Sequence, residues 1–157
     1  MMKSLVVYDS VFGNTEQIAF AIRDGLDSEV EALRVGDAKH DRLTDLDYLV
    51  VGSPTRAFNP TKEITSFLKG IPGGSLKGVK VAAFDTRIDP EDVDSKVLNF
   101  FVKFLGYAAK PIGDRLQKKG GTLVVPPEGF FVNDTEGPLR EGELERATAW
   151  AKQILGK

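Results

Sequence analysis

Five short apolar runs, rich in β-branched residues, recur along the chain at Leu5–Tyr8, Val30–Val35, Tyr48–Val51, Val79–Phe84 and Thr122–Val125. Each has the length of a strand, and most show no polar alternation. A strand that is apolar on both sides must be covered on both faces, as in a parallel sheet between helical layers. Stretches of helical period separate the runs. Ile18, Ala19, Ile22 and Leu26 form one stripe, and Ile64, Phe67 and Leu68 form a second. Leu144, Ala147, Ala151, Ile154 and Leu155 form a third, which Trp150 extends as a core residue. Strands alternating with helices predict one α/β domain over residues 1–157. At 157 residues and 41% hydrophobic content the chain can bury a core of that size.

The punctuation fits this pattern. Asn14 is placed to cap the first helix, with Gln17 three residues on as its capping-box partner. Asn59-Pro60 sets a capping residue before a first-turn proline. Gly25, Gly70, Gly106 and Gly120 each stand at the end of a helical stretch. Right-handed crossovers put the binding loops at the carboxyl ends of the strands. These are Asp9–Thr15, Ser53–Asn59 and Asp85–Asp94.

Composition narrows the chemistry those loops can perform. The chain has no cysteine, which removes disulfides, iron–sulfur clusters, thiolate metal sites and thiol nucleophiles. The single histidine, His40, stands in the charged segment Asp37-Ala38-Lys39-His40-Asp41-Arg42, so no multi-histidine metal site is expected. Lys and Arg number 21 against 23 Asp and Glu, a balance that predicts no nucleic-acid partner. No apolar run approaches the ~20 residues of a membrane-spanning helix. Met1-Met2-Lys3 leads into an apolar stretch too short for a secretory signal, so a cytoplasmic protein without membrane insertion is expected. Redox or group-transfer chemistry would then fall to an organic cofactor.

The first loop reads Asp9-Ser10-Val11-Phe12-Gly13-Asn14-Thr15 and opens directly onto a helix. A helix N-terminus presents unpaired N–H groups and partial positive charge to an anion. Ser10, Asn14 and Thr15 add neutral donors, and Gly13 lets the backbone approach a ligand closely. Neither a Walker loop nor a Gly-x-Gly-x-x-Gly dinucleotide loop is present. The loop suits a phosphate that is held rather than transferred. Its plainer reading is a capped turn.

Ser10-x-Phe12-Gly13-Asn14-Thr15 after a Leu-Val-Val-Tyr strand resembles the phosphate-binding loop of the flavodoxin family. The similarity continues through Val51-Gly52-Ser53-Pro54-Thr55-Arg56 to the closing Glu141–Leu155 helix. The resemblance implies a three-layer, flavodoxin-like α/β fold with a five-stranded parallel sheet in the order 2-1-3-4-5. It also implies FMN at the switch point between strands one and three, flavodoxins being the standing example of that placement rule. By the same resemblance, Ser10, Phe12, Gly13, Asn14 and Thr15 surround the FMN phosphate. Val11 and Phe12 depart from the hydroxyl residues that many members carry there.

Gly52-Ser53-Pro54-Thr55-Arg56-Ala57-Phe58-Asn59-Pro60 fits the family's first flavin-flanking loop. It is also similar to a run in the flavodoxin-like quinone reductases, with Ala57 where those carry an aromatic and Phe58 one position later. The resemblance makes Pro54, Thr55, Arg56, Ala57 and Phe58 flavin contacts. Phe58 either stacks on the ring or packs, and Arg56 either lies near the polar edge of the flavin or is solvated. In the third loop Asp85, Thr86 and Arg87 are set to contact the pyrimidine edge. No aromatic follows before Phe100, which leaves one flavin face open. Asp94–Leu105 reads as a helix that is apolar nearly all round, either sandwiched in the core or presenting Phe100, Phe101 and Phe104 to a partner.

The resemblance implies an electron carrier working between reductase and acceptor enzymes, with no catalytic residue of its own and no metal. A net charge of -2 is low for such carriers, which are typically strongly acidic. The alternatives are an FMN-dependent NAD(P)H:quinone oxidoreductase and an FMN-free interaction module.

Overall fold

A computed structural model of the chain describes residues 2–26, 29–56, 58–89 and 106–157. The helix expected over Asp94–Leu105 lies outside the described residues, as does Ala57. The strands are β1 (Lys3–Tyr8), β2 (Glu29–Arg34), β3 (Tyr48–Pro54), β4 (Lys80–Ile88), β5 (Thr122–Leu123) and β6 (Glu128–Val132). The helices are α1 (Asn14–Gly25), α2 (Lys62–Gly70), α3 (Ala109–Lys118) and α4 (Glu143–Ile154). All neighbouring strands run parallel in the order β2-β1-β3-β4-β5, as expected, and β6 also pairs with β4.

The unalternating runs are explained by burial on both faces. Leu5 and Val7 of β1, Leu49 and Val51 of β3, and Val81 and Ala83 of β4 face one core. In it they meet Ile64 and Leu68 of α2 and Ile112 and Leu116 of α3. Val6, Tyr8, Val50, Ala82 and Phe84 point the other way, against Ile18 and Ile22 of α1 and Ala147, Trp150 and Ile154 of α4. Burying each of the larger side chains contributes roughly 1.5–3 kcal/mol. Trp150 is a core residue as read: it lies edge-on to Phe84 and Phe130, with ring centroids 6.1 and 5.9 Å away. Leu144, expected on the same face, is instead 41% exposed, because α4 turns that position outward.

The fifth strand line differs from expectation. The run predicted through Val125 ends at Leu123, and the edge resumes five residues later as β6, which pairs Glu128–Val132 with Phe84–Ile88. Pro126-Pro127 lies in the break, and proline cannot donate to a ladder. Two expected caps also move. Gly13, not Asn14, occupies the cap position of α1, and Thr61, not Asn59, caps α2 by accepting the Ile64 N–H at 3.3 Å. Gly25 and Gly70 are the last helical residues rather than the ones after. Among the described residues no helix is long and apolar enough to cross a membrane.

Candidate functional site

The loop after β1 is built around one serine. Ser10 Oγ accepts the Gly13 N–H at 3.1 Å and the Glu16 N–H at 3.3 Å, which is the capping role expected of Asn14. Gly13 turns the chain into α1 at φ +89, a left-handed conformation that a side chain strains. The Val11, Phe12, Asn14 and Thr15 N–H groups have no acceptor among the described residues. Free N–H groups on either side of a left-handed residue at a helix N-terminus form an anion nest. The loop is fixed from outside by Arg34, which donates to Ser10 O at 2.9 Å and pairs with Glu16 at 3.1 Å. Tyr8 donates to the same Glu16 carboxylate at 2.7 Å. Burial, reinforced by that bond, pushes the Tyr8 hydroxyl up to about 12.

The second loop leaves β3 at Pro54. The Thr55 N–H donates to Thr86 O at 2.9 Å, and Thr55 Oγ1 accepts the Ala108 N–H at 3.2 Å. A tight turn follows, closed by reciprocal backbone bonds between Arg56 and Asn59 of 2.8 and 2.9 Å. Phe58 sits in this turn at φ +70, where a bulky L residue is strained by roughly 1–3 kcal/mol.

The third segment differs from expectation: Asp85, Thr86 and Arg87, read as a loop, continue β4, where they pair with β6, and Asp85 is fully buried. It takes two bonds of 2.7 Å from the Arg87 guanidinium and one of 2.9 Å from the Ala109 N–H. Ala108 and Ala109, at the start of α3, have no polar side chain of their own, so Thr55 and Asp85 supply the cap from neighbouring loops. Burial pushes the Asp85 carboxyl up, against the opposing pull of Arg87. The Arg87 guanidinium is clamped flat: the Tyr107 ring lies 3.6 Å from it, and a Cβ on Gly129 would overlap it.

These loops meet in a cleft of about 360 Å³, within the roughly 300–1,000 Å³ usual for ligand sites. Of the residues singled out in the sequence, Phe12, Asn14, Thr15, Pro54, Thr55, Arg56, Thr86 and Arg87 line it. Ser10 and Gly13 shape the nest from behind, Asp85 is buried beneath Arg87, and Phe58 is off the lining. Val11, Ile88, Val132 and Thr135 line it unforeseen, the last two because β6 was not foreseen. The Asn14 side chain reaches across to donate to Glu136 O at 3.1 Å, joining the start of α1 to the chain after β6.

A doubly wound sheet with an anion nest at its switch point defines a class of proteins that hold a phosphorylated ligand beyond the strand ends. A family model described as a flavodoxin domain matches residues 5–118, and the chain belongs to the flavodoxin family. It is 33% identical over 88 residues to a probable flavodoxin 1 of Bacillus subtilis, a match spanning 54% of this chain and 56% of that relative. Flavodoxin 2 of Bacillus cereus superposes with a TM-score of 0.75 at 25% identity over 98% of each chain. A flavodoxin from the domain Archaea gives 0.74 at 23% identity, over 99% of this chain and 97% of its own.

FMN is the cofactor of the family and electron transfer its role. The cleft fits the phosphate end. Its lining presents free N–H groups and, among the described residues, no carboxylate. Thr15 and Thr86 share one hydrogen bond of 2.8 Å between two hydroxyls, which leaves one hydroxyl hydrogen for a ligand oxygen.

Phe58 gives a test that separates ring contact from packing. Phe58→Gly relieves the left-handed strain, so the unfolding midpoint should hold or rise. If the ring serves the cofactor, FMN should bind roughly 2–10-fold more weakly, the worth of an aromatic contact. Unchanged affinity by fluorescence titration would assign Phe58 to the turn alone.

Proposed function

We propose that the protein is an FMN-binding electron carrier that shuttles electrons between a reductase and acceptor enzymes. The FMN phosphate lies in the Ser10–Thr15 nest, and the ring lies between the Pro54–Arg56 segment and the Thr86–Ile88 end of β4. One observation carries the choice of carrier over substrate oxidation: among the described residues the cleft lining has no carboxylate, histidine, cysteine or lysine. Such a site has no acid–base pair with which to process a substrate, so its work is to bind and to set electron energies. FMN supplies the electron-accepting chemistry when bound. The chain's part is to hold the phosphate, exclude water from the ring and place the Arg87 and Arg56 charges near the cleft.

A stepwise potentiometric titration of the FMN-loaded protein should show two resolved one-electron steps, with only slow reduction by NADH or NADPH alone. Rapid reduction by either nucleotide, with turnover on a quinone, would replace the carrier reading with that of a quinone oxidoreductase.

A further inference from the structure

Beside the cofactor cleft, and sharing Val11 and Arg56 with it, runs a wider groove of about 1,100 Å³. One wall is the exposed stripe of α2 that carries Lys62, Ser66 and Lys69, and Arg115 of α3 adds to it. Arg56, Lys62, Lys69 and Arg115 form no ion pair among the described residues. Lys119 donates to Lys69 O at 3.1 Å and brings a fifth cation to the same end. Two carboxylates line the groove, Asp9 and Glu63, and Asp9 is already offset by Arg34 at 3.7 Å. This cationic concentration stands in a chain whose net charge is -2. Unpaired like charges repel one another at low ionic strength, and an anionic partner removes that cost.

We infer that this groove is the docking face for an acidic electron-transfer protein, an inference that rests on the carrier reading above. Lys62 and Lys69 are seven residues apart on one helix face, about 10.5 Å along its axis, which is too wide a spacing for a single phosphate. With Arg56 and Arg115 they spread charge over an area suited to a protein surface. Val11 and Phe12, 50% and 45% exposed, form an apolar knuckle between the groove and the cleft. Apolar contact at the centre with charge at the rim is the usual composition of a transient interface. A partner seated there meets the cofactor cleft at Val11 and Arg56, which line both.

Two readouts test the docking face. The first uses hexaglutamate as an acidic probe of 15N-labelled protein and needs no flavin. Shifts should concentrate at Arg56, Lys62, Ser66, Lys69 and Arg115, and should fade as salt rises toward ~0.15 M, where the Debye length falls to about 8 Å. Shifts scattered over lysines elsewhere would overturn the inference. So would saturable binding of 2′,5′-ADP in the groove tighter than that of hexaglutamate, which would mark a nucleotide site.

The second compares electron exchange of the FMN-loaded protein on gold bearing carboxylate-terminated or amine-terminated monolayers. Exchange should be faster on carboxylate. The combined variant Lys62→Gln, Lys69→Gln, Arg115→Gln should slow it roughly tenfold, the scale of electrostatic steering, with FMN content and potential unchanged. Equal rates on the two surfaces, or no effect of the variant, would overturn the inference. A flavin-free protein would sink the carrier reading, and the hexaglutamate shifts would still decide the docking face.

Discussion

Riboflavin is expected to bind at least roughly a hundredfold more weakly than FMN, because the loop after β1 spends its polarity on the phosphate. A hydrogen bond to a charged group is worth about 1.5–3 kcal/mol, so losing only two gives about 3–6 kcal/mol, or 10²–10⁴ in affinity. Among the described residues, four N–H groups of the nest have no acceptor and can make such bonds. No lysine or arginine stands in the loop itself, so the balancing charge comes from the N-terminus of α1. Thr15→Val keeps the shape and removes one of the paired hydroxyls. It should weaken FMN about tenfold and leave riboflavin nearly untouched. Fluorescence titration of the flavin-free protein measures both. Equal affinities for the two flavins would overturn the assignment of the nest.

The largest stability effect is expected at Glu143, at the start of α4 and nearly buried. Its carboxylate takes bonds of 2.9 and 2.6 Å from Arg146 and one of 2.7 Å from the Phe131 N–H, so a single side chain fastens α4 to β6. Removing one partner of a buried ion pair costs about 3–5 kcal/mol, and the partial exposure of Arg146 lowers this to about 2–3 kcal/mol for Glu143→Ala. For a chain of this size the melting temperature should fall by about 5–10 °C.

The same contact sets a pH dependence. Burial works to raise the Glu143 carboxyl, but the Arg146 guanidinium and the Phe131 N–H hold it below its ordinary 4.5. A depressed folded value means stabilisation that is complete above the unfolded value and lost as pH falls through the folded one. The gap between wild type and Glu143→Gln should therefore be constant near neutral pH and should close below about pH 4.5. A gap that widens on acidification would show that the carboxylate is not the stabilising form.

The sheet and its cover were legible because two-sided burial removes polar alternation, a signal written in β1, β3 and β4 alone. β6 was not legible: Gly129-Phe130-Phe131-Val132 follows a double proline and a glutamate, and local reading takes such a break as the end of a strand. Only pairing with the far half of β4, more than 40 residues away, makes it one. The caps were misplaced for a related reason. Asn14 has the right chemistry for a cap, but its amide is drawn to Glu136 O, 122 residues on, and Ser10 takes its place.

The first two loops of the site were legible from their position after strands; Asp85–Arg87 were not, because β6 extends the pairing of β4 through them, and the roles of the side chains were less legible still. Arg87 and Asp85 face each other rather than outward, and Tyr107, which clamps Arg87, lies in a segment with no motif to announce it.

The proline break in the fifth strand line bears on how the molecule behaves when crowded. A continuous edge from Thr122 to Val132 would offer an unbroken row of backbone donors and acceptors to a second chain, the usual start of strand addition and aggregation. Pro126-Pro127 divides it into segments of two and five residues, and the two prolines between them offer no donor to a continuous foreign strand. At the opposite edge β2 carries Glu29, Glu31 and Arg34, and bringing a like-charged copy alongside costs electrostatic repulsion. Both edges of the sheet thus resist strand addition by a second copy of the chain.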